Sequence, residues 1–313
     1  MLLTPTAIST IQKPNVMTTI EKREIQWKLR VYIDSFSSQK KAAESIDNCS
    51  EATVIAMLSE KEFGWDNISD EKWRTVANQI GGIVDFNKLV ETLNFQTLNL
   101  YFETAKHEGA TFSIIGSAGW GKSYTAKWYT AINRKKNVYY LECAEYWNKK
   151  MFLCKLLLQM GKSGAGMGLG ELMETVVREL RKANKPLIIL DEIDKLTDPV
   201  LKFFITLYNE LNKVCGFVWL STNAIEKRMI RGLDKNTVGY QELFSRIGAT
   251  FMQLNMPSRD EIAEICKANG IADEQAISVV CNEVKDLKGD LRRVDRNILK
   301  DKVKKMRKAS KAA

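Results

Sequence analysis

Eight consecutive residues, Gly116-Ser117-Ala118-Gly119-Trp120-Gly121-Lys122-Ser123, have the spacing of a loop that grips phosphate. An apolar run from Ala110 to Ile115 leads into them, and a helical pattern opens at Tyr124 and continues to Ile132. Glycines let successive backbone N–H groups turn inward and cradle the α- and β-phosphates of a nucleotide. A lysine at position 122 is long enough to reach the β/γ oxygens, and the Ser123 hydroxyl suits Mg²⁺. The expected nucleotide contacts are therefore Gly116, Ser117, Ala118, Gly119, Trp120, Gly121, Lys122, Ser123 and Tyr124, with ATP and Mg²⁺ bound there. A second Gly-Lys-Ser, at 161–163, is a decoy: position 156 is Leu156 where glycine is needed, and no strand precedes it. With five glycines in ten residues, 161–170 reads as a flexible surface loop.

Hydrolysis needs a second set. The apolar run Pro186 to Leu190 ends in Asp191-Glu192. Buried parallel strands look like this, and ligands bind beyond their C-terminal ends. Asp191 can hold a water on the metal, completing a metal set with Ser123, while Glu192 can polarise a water for attack on the γ-phosphate. A strand end running into a capped loop explains one carboxylate more easily than the pair. The strand Gly216–Ser221 ends at Thr222-Asn223, where the Asn223 amide can hydrogen-bond the attacking water or cap the next helix. Arg246, in Leu243-Phe244-Ser245-Arg246-Ile247, can project as a finger into a neighbouring subunit's nucleotide or form a local salt bridge; Arg228 and Arg231 are rivals for that role. Arg292, in Gly289-Asp290-Leu291-Arg292, starts a helix and can fold back on the phosphates.

Strands and helices alternating in this way predict an α/β core with a parallel sheet. The single histidine, His107, excludes a histidine-based zinc site and a Ser-His-Asp triad. Six cysteines without a C-x-x-C pair read as reduced, mostly buried thiols. No basic leader precedes an apolar core and no 18-residue apolar run occurs, so a soluble, cytoplasmic protein is expected. The net charge of +9 points toward an acidic partner. Most of that excess lies at the end of the chain: from Val284 onward, twelve lysines and arginines face four aspartates. Arg178, Arg181 and Lys182 form a smaller cluster that either complements a helix dipole or faces DNA.

The expected domain plan is a mobile tail at 1–20, a helical domain at 21–82, a helical linker at 83–109, the ATPase core at 110–255, a basic helical lid at 256–305 and a tail at 306–313. In the N-terminal part, helices are expected from Glu24 to Phe36, from Gln39 to Ile46 after Ser38, from Glu51 to Leu58 after Ser50, and after Ser69. Two short helices joined by the turn Asp47-Asn48-Cys49 and flanked by two others follow the helix-turn-helix plan. Val54, Ile55 and Leu58 are expected to face inward. A small bundle that binds protein fits the same pattern, because the second short helix carries no Lys or Arg.

Taken together, GSAGWGKS, LIILDE, STN, LFSRIG and GDLRR occur in the order and rough spacing of the AAA+ ATPases over residues 90 to 300. Within that superfamily the chain most resembles transposition target-DNA activators of the phage Mu B type, since a helix-turn-helix pattern precedes the core and a small basic helical domain follows the LFSR arginine. The resemblance implies an ATPase that binds double-stranded DNA when loaded with ATP. It implies polymerisation on DNA as a helical homo-oligomer in the cytoplasm of a bacterial host, and delivery of target DNA to a transposase that it stimulates. The family's roles would fall on Lys122, Ser123, Asp191, Glu192, Asn223, Arg246 and Arg292. A helicase or replication-initiator loader, or a DNA-binding regulator using ATP only as a conformational ligand, would share the loop but differ in client or turnover.

Overall fold

The computed structural model describes residues 17, 19–33, 38–59, 64–80, 89–133 and 136–312. The tail at 1–16, Phe36, the Gly81-Gly82 boundary and Phe86 lie outside the described residues. The chain divides into two compact units, residues 1–85 and 86–313.

In the first unit, α1 (Thr19–Ile33) is followed by α2 (Gln39–Glu44), α3 (Glu51–Leu58) and α4 (Asp70–Gln79). Ser38, Ser50 and Ser69 each accept a backbone N–H from the first turn of the helix they open, which satisfies a donor the helix cannot. Asn48 takes the left-handed conformation (φ 57°) in the turn between α2 and α3. Ile25 and Leu29 of α1, Ala42-Ala43 of α2 and Trp73 of α4 form the core, with Trp65 edge-on to Trp73. The inward face of α3 differs from expectation. Val54 and Met57 are buried, whereas Ile55 is 57% exposed and Leu58 half-buried. The Gln26 amide sets that rotation by donating to the terminal carbonyls of Met57 and Ser59, a contact no local pattern announces.

The second unit begins with α5 (Leu93–Glu108), β1 (Thr111–Ile115), α6 (Lys122–Asn133), β2 (Val138–Glu142), α7 (Lys149–Gln159), α8 (Leu169–Lys182) and β3 (Leu187–Asp191). It continues through α9 (Asp198–Leu211), β4 (Gly216–Ser221), α10 (Asn223–Asp234), α11 (Tyr240–Arg246) and β5 (Phe251–Gln253). Helices α12 (Arg259–Ala268), α13 (Glu274–Asp286) and α14 (Arg292–Ala312) close the chain. The sheet is five-stranded and parallel, in the order β2-β3-β4-β1-β5. Strand residues alternate between two cores, as a side-chain period of two requires. Ile188, Leu190, Phe217 and Trp219 pack under α7, α8, α9 and α11. Leu187, Ile189, Val218 and Leu220 pack against Leu98, Phe102 and Ala105 of α5 and Ala126 and Tyr129 of α6. Helix α5, expected as part of a linker, is thus a layer of the core. The three-residue β5 is too short to carry a periodic signal.

Helices α12 to α14 bury Ile262, Cys266, Ile277, Val280, Val284, Val294 and Ile298 in a cluster of their own within the second unit. Ser258 and Glu261 form a reciprocal cap at the start of α12. The tail expected from residue 306 is instead the last part of α14, a stretch of good helix formers with neither Gly nor Pro. No helix of the described residues is long and apolar enough to cross a membrane. All six cysteines are free.

Candidate nucleotide site

Register places the site. Ile115 is level with Ser221, and Asp191 with Leu220, so β1, β4 and β3 end side by side. The glycine loop, the carboxylate pair and Thr222-Asn223 therefore open onto one sheet edge. The Gly116 N–H donates to Ser221 O at 3.2 Å, fixing the loop's first residue to β4. Gly119 and Gly121 sit at φ 81° and 85°, where a side chain is strained. Lys122, the first residue of α6, is 8% exposed, and its Nζ donates to the loop carbonyls of Gly116 (2.5 Å) and Ser117 (2.9 Å). Burial lowers its pKa, opposed by the charges of Asp191 and Asp194. Ser123 and Tyr124 follow on the same helix, both half-buried. Ser117, Gly119 and Trp120 are half-buried and Ala118 exposed along the loop's rim.

Asp191 continues the alternation of Leu187 and Ile189 and so points to the α5/α6 side of the sheet, toward Ser123. It is 1% exposed. Tyr140 Oη on β2 donates to Oδ2 at 2.7 Å, the Glu192 N–H to Oδ1 at 2.9 Å, and the Ser123 hydroxyl also bonds the carboxyl. Burial nevertheless raises the Asp191 pKa against these three bonds. Burial, then the Asp191 charge, likewise holds the Tyr140 phenol well above its ordinary value.

Glu192 breaks from the strand in a left-handed conformation (φ 53°) and is half-buried, where Asp191 is buried. Glu192 Oε2 lies 2.5 Å from Lys195 Nζ, and this bond holds the lysine ammonium above its usual pKa. Thr222 caps α10, accepting from Ala224 N and donating to Asp194 Oδ2 at 3.0 Å. Asn223 is left to donate to Gln253 Oε1 at 3.3 Å. Capping is therefore the work of Thr222.

The arginines separate. The exposed Arg292 begins α14, with its N–H bonded to Asp290 Oδ1 at 3.0 Å, and its charge is felt at Lys122. Arg246 lies at the end of α11, away from that edge. Its Nε donates to Asn209 Oδ1 at 3.0 Å, an Nη to Glu242 Oε1 at 3.3 Å, and the guanidinium stands 5.5 Å over the Tyr208 ring. Arg228 is an internal strut: it pairs with Asp198 and donates to the Tyr240 hydroxyl and the carbonyls of Asp194 and Leu196. Arg231 is exposed on α10. On α8, Arg181 pairs with Glu210, and Lys182 and Arg178 lie near Glu179, so that cluster is largely balanced by carboxylates.

Two contributors carry no sequence signal. Tyr140 sits in the unremarkable strand VYYLE. The Asn94 amide, 4% exposed on α5, donates to Asn255 O (2.7 Å) and Trp120 O (3.4 Å) and accepts from Asn255 N (3.1 Å).

The donor set fits a magnesium triphosphate: a near-buried cation, a glycine loop at a helix start, and a hydroxyl and carboxylate as hard oxygen ligands. Among the described residues no group of three or more His, Cys, Asp and Glu is placed to hold a metal by itself.

The fold and this edge define an α/β protein whose glycine loop opens at the end of the parallel sheet. Residues 106–229 match the model of an AAA domain, which covers less than half of the chain. The structure is similar to Cdc6p from Pyrobaculum aerophilum (15% identity, 68% of this chain and 64% of that one, TM-score 0.47). It is also similar to the Thermotoga maritima RuvB Holliday junction branch migration motor (16%, 72% and 68%, 0.44) and to Drosophila ORC bound to DNA (16%, 66% and 54%, 0.40). The chain spans less than two thirds of the length of Cdc6p. No curated protein matches the sequence.

Proposed function

We propose that the chain is an ATPase that binds duplex DNA in its ATP-loaded form, assembles on it as a helical homo-oligomer and delivers it to a transposase. The observation that carries the nucleotide reading is the meeting of Lys122, Ser123 and the buried Asp191 at one sheet edge. Ser123 and Asp191 would hold Mg²⁺ there, and the ion would supply charge neutralisation to the phosphates. Lys122 exchanges its loop carbonyls for β/γ oxygens. Glu192 orients the attacking water and takes its proton, and Asn223 hydrogen-bonds that water or the terminal phosphate. Arg292 adds a cation from the lid, and Arg246 adds one from a neighbouring subunit.

The DNA half rests on the resemblance to the Mu B type, carried by the helical pattern before the core and the basic helices after Arg246, and on where the cations stand. Arg296, Lys300 and Lys304 are all exposed, at four-residue steps along α14, a winding stripe suited to phosphates and blind to sequence. For the N-terminal unit the structure favours a protein partner over base reading. Helix α3 presents Glu51, Ala52 and Ile55 to solvent and has no Lys or Arg. Electron micrographs and filter binding with duplex DNA test the whole reading. Coating is expected with ATP and not without nucleotide, and the log-log salt slope is expected near −3, for roughly three phosphates neutralised per subunit. Equal coating after the nucleotide is stripped defeats it.

The Lys195–Glu192 pair gives a smaller test. Both side chains are more than a third exposed, so the pair contributes only about 0–1 kcal/mol to stability. Lys195→Ala is expected to leave the melting temperature nearly unchanged and to raise phosphate release about two- to fivefold by freeing the base. A lower rate would mean that the lysine orients Glu192 and does not restrain it.

A further inference from the structure

The segment just before Arg292 is fastened to the glycine loop at several points. Trp120 Nε1 donates to Lys288 O at 2.8 Å, across 168 residues of sequence. The Leu291 N–H donates to Gly119 O at 3.1 Å. A Cβ at Gly119 would fall 1.9 Å from Asp290 Oδ1, and one at Gly289 2.8 Å from Trp120 Nε1. Only glycine at both positions permits so close an approach. Asp290 in turn holds the Arg292 N–H, while Asn94 grips Trp120 from the other side through its carbonyl. A leucine or valine at position 120 would cover the same surface but donate nothing.

We propose that Trp120 is a positioning residue: its indole latches the phosphate loop to the lid, so that the loop's conformation sets where Arg292 stands. The inference rests on reading the loop as a triphosphate site. Filling that loop reorients the N–H groups of Gly119 and Trp120, and the lid follows through the Lys288 and Leu291 bonds. Arg292 is one residue further on, so a small displacement at the latch moves a phosphate-reaching cation without touching the loop's own grip.

Trp120→Phe keeps an aromatic ring against the lid and removes the N–H. Steady-state hydrolysis and binding of a fluorescent ATP analogue are compared in wild type, Trp120→Phe, Arg292→Ala and the double variant. Analogue affinity is expected to stay within about twofold, while kcat falls about five- to tenfold, the effect of one lost hydrogen bond on positioning. The double variant is expected to be no slower than Arg292→Ala alone, because both changes remove the same placement. A fully additive loss, a change confined to KM, or no change overturns the inference. Hydrogen exchange of the wild-type Leu291 amide gives a readout free of any substitution: its protection is expected to change on adding ATP, and an unchanged rate also overturns it. Wild type failing to bind the analogue sinks the triphosphate reading and the latch with it. Wild type that binds and hydrolyses ATP beside an indistinguishable Trp120→Phe sinks the latch alone.

Discussion

Lys122→Ala is expected to abolish ATP-dependent DNA binding and to lower nucleotide affinity by about 10²–10³-fold. The side chain offers charge-assisted donors worth about 1.5–3 kcal/mol each, and two lost together reach that range. Isothermal titration with ATP and DNA filter binding check the two parts. Misfolding is a poor rival explanation. The ammonium is nearly buried and its charged form is disfavoured there, so its removal relieves desolvation. The thermal transition of the nucleotide-free variant is therefore expected to equal or slightly exceed that of wild type. If ATP still drives DNA binding in Lys122→Ala, the loop is not the switch.

Glu192→Gln has an effect of similar size on a different step. Turnover is expected to fall about 10²–10⁴-fold, the range for loss of a general base, while ATP affinity stays near wild type. Binding and water activation are separable because Asp191 and Glu192 have different surroundings: one carboxylate is buried among Ser123, Tyr140 and a backbone N–H, the other is partly exposed and paired with Lys195. Complexes of Glu192→Gln with ATP and DNA are expected to persist for as long as the nucleotide survives, visible as stable filaments and a slow off-rate. Hydrolysis at the normal rate would remove Glu192 from the role of base.

The glycine loop, the carboxylate pair and Thr222-Asn223 are legible in the sequence because each ends a strand, and parallel strands joined by helices must present their ends on one side. Serines 38, 50, 69 and 258 are legible as caps because capping is local. What escapes is decided between distant residues. Ile55 has the apolarity of a core residue, yet the Gln26 contact turns it outward. Arg228 looks as available as Arg246 until Asp198, Tyr240 and two carbonyls are seen to occupy it. Tyr140 becomes a site residue only because β2 pairs with β3 and places it level with Ile189, two residues before Asp191. Asn94 and the Trp120–Lys288 bond join segments separated by 161 and 168 residues, with no periodicity to betray them.

Arg246 is already committed within its own subunit, to Asn209, Glu242 and the face of Tyr208. Under the proposal that it crosses to a neighbour's nucleotide, leaving those partners is a toll that a chance encounter in dilute solution does not cover. Crowding along a template does, because the second subunit arrives held at high effective concentration. On that proposal a solitary molecule would keep Arg246 on its own Asn209 and Glu242 and turn over little nucleotide, and alignment on DNA would be what sets it to work.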